Sequence, residues 1–298
     1  MSGRSRTLAA LALYLLLLPS MAPWGSAEAA PIPMETFTQV DGEIPEAVEV
    51  RSFLTDEWGM PHPSGVAYFP EEGSLLVAGV EGKRTRLLRL SPQEDLLGTL
   101  SLPPISHPAT LAFDAARSRL TAISGNRLLK VRAAEVVKRR PRVRWISIAR
   151  LGLETPAGAT FDAATGTWYV LDQGAKAIVR VPMPGGSPGT PAPISLQGVG
   201  AGSLQGLAVN PSDGLFYVAS PARELLYGVD GSGAVQKTYD LGAIELGGAG
   251  LQDLRALVFA PSSDATDDPA THHLFVADKG GSSTLGGVAE VSLAAAET

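Results

Sequence analysis

Ala159-Thr-Phe-Asp162 is followed by the turn Ala164-Thr-Gly166, the run Trp168-Tyr-Val-Leu-Asp172 and the run Ile178-Val-Arg-Val181. The first two runs are almost continuously apolar, as in buried strands, whereas the third alternates as in a half-exposed one. Outward in both directions the series recurs. First strands read Val66-Ala-Tyr-Phe69, Leu111-Ala-Phe-Asp114, Leu207-Ala-Val-Asn210 and Leu257-Val-Phe-Ala260. Second strands read Leu75-Leu-Val-Ala-Gly79, Leu120-Thr-Ala-Ile-Ser124, Phe216-Tyr-Val-Ala-Ser220 and Leu274-Phe-Val-Ala-Asp278. Third strands include Leu87-Leu-Arg-Leu90, Leu128-Leu-Lys-Val131 and Val288–Leu293, and a weaker fourth shows at Leu97–Leu102, Trp145–Ala149 and Thr238–Leu241.

Five units about 45–50 residues apart, each of four strands with the innermost most apolar, predict an all-β fold: a five-bladed β-propeller of antiparallel strands. A β-sandwich lacks such a period, and β-helix rungs are shorter. The fifth unit supplies only three strands. Ala47-Val-Glu-Val-Arg-Ser-Phe53 precedes the first unit and alternates correctly, so this N-terminal strand would close the ring and leave no edge open. Six blades remain an alternative if residues 31–60 build most of a degenerate one.

The N-terminus carries Arg4 and Arg6, an apolar stretch from Leu8 to Leu18, and a small-residue exit at Ala27-Glu28-Ala29. These are the parts of a cleaved secretory signal peptide over residues 1–29, and the apolar run is far short of the ~20 residues that span a bilayer. Residues 30–298 are then one propeller domain, secreted or periplasmic, with no transmembrane segment and expected as a monomer. The chain has 24 Lys and Arg against 30 Asp and Glu. This mild acidity argues against nucleic acid as a partner, since that binding neutralises phosphates. With no cysteine there is no disulfide and no thiolate nucleophile or metal ligand.

Trp168–Val181 and Leu274–Leu293 resemble NHL-type repeats, in which an aromatic-Val-Ala-Asp strand end leads through a short polar loop into an Ile-x-x-Val strand. The likeness covers most of residues 63–293 as a pattern and is sharpest in those two repeats. It implies the propeller fold and binding of other molecules on a loop face. More remotely, the chain is similar to the SMP-30/gluconolactonase group, divalent-metal lactonases on a similar propeller. Where that group places a metal-binding Asn before Gly-Leu-Ala, this chain has Gln205, and where its next strand ends in Asp, this chain has Ser220.

Consecutive strands of a blade are antiparallel, so first-strand starts and second-strand ends converge at one mouth of the channel. That places His62, His107 and Asp253 beside Asp172 and Asp278, a set suited to ligand binding or to a divalent metal held by imidazole and carboxylate. The competing reading is that each side chain satisfies its own turn, as Asp and Ser do by accepting backbone N–H groups. A second feature is an insertion of about eight residues in the last first-to-second-strand turn, Ser262 to His273. Its Asp264, Asp267 and Asp268 suit Ca²⁺ or another hard cation, or else form a solvated acidic loop. This loop falls on the opposite face, so the two features are separate sites.

Three motifs carry less. Gly185-Gly-Ser187-Pro-Gly189 fits G-x-S-x-G without the strand-to-helix turn of a nucleophile elbow. Gly82-Lys83 lacks the upstream Gly of a phosphate-binding loop. Lys138-Arg-Arg-Pro-Arg142-Val-Arg144 reads as a basic hairpin tip. Two functions follow: an exported non-catalytic propeller that binds a small molecule or protein through its loop faces, or a metal-dependent hydrolase or lactonase using His62, His107, Asp172 and Asp278.

Overall fold

A computed structural model describes residues 44–293 apart from 201 and 269; the expected signal peptide lies outside the described residues. Five four-stranded antiparallel sheets follow one another along the chain. Blade one is Pro63–Phe69, Ser74–Glu81, Arg84–Leu90 and Leu96–Leu102, and blade two is His107–Asp114, Arg119–Ser124, Arg127–Arg132 and Val143–Ser147. Blade three is Pro156–Asp162, Thr167–Asp172, Ala177–Pro182 and Ala192–Ser195, and blade four is Gln205–Val209, Phe216–Ser220, Leu225–Val229 and Val235–Asp240. Blade five is Leu254–Pro261, His272–Asp278 and Gly287–Ser292, completed by Val48–Leu54 as its outer strand. Each innermost strand packs on the next, and the fifth returns to the first, so the ring has five blades, not six.

Two-sided burial explains the continuous apolar runs. In blade three, Trp168 and Val170 face blade two beside Ile123 and Leu128. Their neighbours Tyr169 and Leu171 point the other way, against Phe216 and Val218 of blade four. Period-two alternation therefore divides one apolar run between two interfaces. The core accordingly lies in five wedges between blades, not at one centre. At roughly 1.5–3 kcal/mol per buried large side chain, these wedges hold the blades together.

The N-terminal strand closes the ring as expected, starting one residue later than the sequence indicated, with Val48 opposite Ser292 and Phe53 opposite Val288. A buried ionic clasp reinforces it. Glu290, fully buried in the third strand of blade five, accepts from Arg51 Nε and His273 Nδ1, both at 2.8 Å, and from the Ser263 amide at 2.9 Å. Arg51 also donates to the Pro92 carbonyl and pairs with Glu94 at 3.2 Å, both in the third-to-fourth-strand turn of blade one. First and last blades are thus joined by charge as well as by packing.

The end of the ring where first strands begin and second strands finish is termed the upper face here, and the end holding the first-to-second and third-to-fourth turns the lower face. Near the upper face the innermost strands come closest. A Cβ on Gly65 would lie 2.2 Å from the Pro108 carbonyl oxygen, and one on Gly158 would lie 2.5 Å from the Leu207 amide nitrogen. Backbone occupies the space that a side chain would need, and the ladder is bulged at both glycines. The channel is pinched above and widens below.

Candidate functional site

On the upper face, Asp172 is buried and accepts from the amides of Glu154 and Thr155, each at 2.8 Å, and of Gly174 at 3.2 Å. Asp278 does the same in blade five, accepting from Asp253 at 2.8 Å and Gly280 at 2.7 Å. Burial pushes the Asp278 carboxyl up, while the amides of Gly280 and Asp253 pull it down. Ser124 takes the place in blade two, accepting from the Ser106 amide at 3.3 Å and donating to the Pro104 carbonyl. The recurrence of one turn-binding arrangement marks it as part of the blade plan. In blade four the equivalent Ser220 hydroxyl is buried without a hydrogen-bond partner among the described residues.

His62 and Asp253 are similarly engaged. Exposed His62 bonds the Lys279 carbonyl through Nδ1 at 3.0 Å, and Asp253 pairs with Arg255 at 2.6 Å. His107 opens the innermost strand of blade two, half-buried, and desolvation lowers its pKa. In the insertion, Asp264 accepts from the Thr266 amide at 2.8 Å, Asp267 from the Ser262 hydroxyl, and Asp268 from the Ala270 amide at 2.8 Å. These are the self-closing turns that Asp makes readily. Among the described residues, no three His, Asp or Glu side chains group closely enough to hold an ion.

The room for a ligand lies on the lower face. A cavity of about 710 Å³ occupies the widened end of the channel, walled by Tyr68, Phe113, Phe161, Val209 and Val258, with Thr160 among its polar groups. Those five are half-buried, and burial pushes the Tyr68 hydroxyl up. His272 places the acidic insertion on its rim. An adjoining cleft of about 400 Å³ between blades four and five shares Asn210, Phe259 and His272 with it. There Asp213 accepts from Tyr217 Oη and Lys237 Nζ, both at 2.9 Å. Sequence reasoning missed this cavity, yet it left a signal. The third residue of the first-strand motif is aromatic in four units, Tyr68, Phe113, Phe161 and Phe259.

No family model and no curated protein matches the sequence. Solved structures share the fold. Glutaminyl cyclase from Myxococcus xanthus is 16% identical, covering 84% of this chain and 98% of its own, with a TM-score of 0.56. A calcium-binding protein, regucalcin, from Agrobacterium tumefaciens is 14% identical over 84% and 96%, with a TM-score of 0.50. A luciferin-regenerating enzyme is 10% identical over 83% and 95%, also with a TM-score of 0.50. The propeller resemblance read from the repeats holds at the level of the fold. Enzymes and a binding protein stand alike among these neighbours. Among the described residues no helix is long and apolar enough to cross a membrane.

Proposed function

We propose that the protein is an exported, non-catalytic binding propeller that holds a small molecule in its lower-face cavity. The observation that carries this reading is the cavity itself. Its size falls in the range of small-molecule sites, and its walls are mostly apolar with few polar groups, as such sites are. The upper-face carboxylates Asp172 and Asp278 are committed to backbone amides, so a hydrolytic metal would have to displace the bonds that hold those turns. Calcium at Asp264, Asp267 and Asp268 forms no part of this reading, because each carboxylate already closes a local contact.

N-Phenylnaphthylamine, a neutral dye that fluoresces when transferred from water to an apolar site, tests the cavity. Saturable enhancement with the wild-type protein is expected. Val209→Trp, in the wall, and Ala163→Trp, at the exposed rim, should each remove most of it without changing the β-sheet circular dichroism. Absence of saturable binding, or binding indifferent to both substitutions, overturns the reading.

Export has its own test. Expressed with its N-terminus in a secreting host, the mature protein should begin at Ala30, after the Ala27-Glu28-Ala29 exit. Terminal sequencing that finds residues 1–29 retained on exported protein would contradict it.

A further inference from the structure

A group of cations stands beside the cavity. Between His107 and Arg150 stand eleven Lys and Arg and only two acids, Asp114 and Glu135, in a chain of net charge −6. Several of these cations gather where blade two meets blade three on the lower face. Lys130 is buried and donates to the Gly186 carbonyl. A Cβ on Gly186 would meet Arg119 Nη1 at 2.9 Å and Arg117 Cδ at 3.5 Å. Three cationic side chains thus surround one peptide of the Pro/Gly loop.

Pairing across the sheet makes the crowding plain. Arg119 is registered opposite Arg132, and Lys130 opposite Arg144. Like charges placed directly opposite destabilise a sheet. Among the described residues the one carboxylate bonded into this group is Asp114, and it is bound to Arg117. Neither a hydrogen bond nor an ion pair engages the guanidinium groups of Arg119 and Arg144 among the described residues. Burial, then Arg119, lowers the Lys130 pKa to about 8; Asp114 opposes the shift, and Arg117 and Arg144 add to it. Asp114 offsets part of this positive charge, and among the described residues no other carboxylate is bonded into the cluster.

Arg117 connects this charge to the cavity. Its guanidinium carbon lies 6.0 Å from the centroid of Phe161, a cavity wall, and its Nη2 donates to the Met183 carbonyl at 2.8 Å. In the adjoining cleft between blades four and five, Asp213 is paired with Lys237 and Asp268 closes its own turn. Among the described residues the cavity lining itself carries one carboxylate, Asp162 of blade three, which is bonded within its own turn, and the cations stand next to it, with Arg117 at the Phe161 ring.

We propose that the ligand is an amphipathic anion: an apolar body in the lower-face cavity and an oxyanion group, carboxylate, sulfonate or phosphate, directed to Arg117 and Arg119 beside the Gly186 loop. The assignment rests on the cavity reading above and adds the chemical class of its ligand. Guanidinium suits it, because its planar fork of donors matches two oxygens of such a group.

Anilinonaphthalene sulfonate and N-phenylnaphthylamine share an apolar body and differ by the sulfonate. The wild-type protein should bind the sulfonate at least about tenfold more tightly, the size of one charge-assisted contact. That preference should shrink with added salt. Arg119→Gln, at a side chain with no hydrogen-bond or ion-pair partner among the described residues, should remove most of the preference and leave affinity for the neutral dye unchanged. Arg117→Gln should act in the same direction. Equal affinity for the two dyes overturns the anion assignment while leaving the cavity reading intact. So does a preference that survives both Arg substitutions. Sulfonate binding that persists in Val209→Trp overturns the link between cluster and cavity. Failure of both dyes to bind overturns the cavity reading itself.

Discussion

Glu290→Ala should cost about 3–5 kcal/mol of stability, because it leaves Arg51 and His273 facing a void in a buried clasp. For a chain of this size that is a drop in Tm of roughly 10 °C, read by calorimetry. The same group sets acid sensitivity. Burial pushes the Glu290 carboxyl up, but His273, Ser263 and Arg51 together pull it down to about 2 from 4.5. A depressed folded-state pKa means the native state binds fewer protons than the unfolded chain in that interval. Its stabilisation, on the order of 3 kcal/mol, is therefore complete above about pH 4.5 and lost as pH falls toward 2. Glu290→Gln should flatten that part of the pH–stability curve. A variant that keeps the wild-type acid limb, or loses less than about 1 kcal/mol, would show that the clasp is incidental to ring closure.

The second large effect is expected at Asp172. Its carboxylate accepts three backbone amides, and Asp172→Ala leaves all three without that acceptor. At about 1–3 kcal/mol for each buried donor left unpaired, with some recovered by water, the loss should be near 3 kcal/mol. Asp172→Asn keeps an acceptor oxygen and should cost less. Neither substitution should alter dye affinity, since Asp172 lies at the upper face and the cavity at the lower. Chemical denaturation and dye titration of one preparation separate the two roles. A variant of unchanged stability with lost ligand binding would instead make Asp172 a site residue.

The repeat was legible because the blade is a local object. Strand, turn and strand succeed one another within one unit, and a run such as Trp168–Asp172 declares burial on both faces through its composition. The closing strand was legible for the same reason, as an alternating run without a unit of its own. The outer strand Ala192–Ser195 left little trace, being four residues that include Pro193 at an exposed edge. Lys130 misled in another way. Its alternating strand marked a half-exposed face, yet Lys130 is buried, because the Pro184–Gly186 turn of the next blade folds over it. Which mouth of the channel is wide depends on how near two blades stand at Gly65 and Gly158. That distance belongs to the ring and is written in no single unit.

The pairing of Val48–Leu54 with Gly287–Ser292 also bears on how the molecule comes to be folded. Blades one to four are successive hairpins, whose strands meet on a microsecond scale. The last blade needs partners as far apart as Arg51 and Glu290, 239 positions along the chain. Loop-closure entropy sets that encounter behind the others. Until the final strand arrives, blade five offers an open edge, and the Arg51–Glu290 clasp between the first and last blades is unmade. A chain delivered N-terminus first would therefore carry four nearly finished blades beside a gap. The interval of vulnerability to misassembly is then governed by the pace at which the last strand is supplied, not by how stable any blade is.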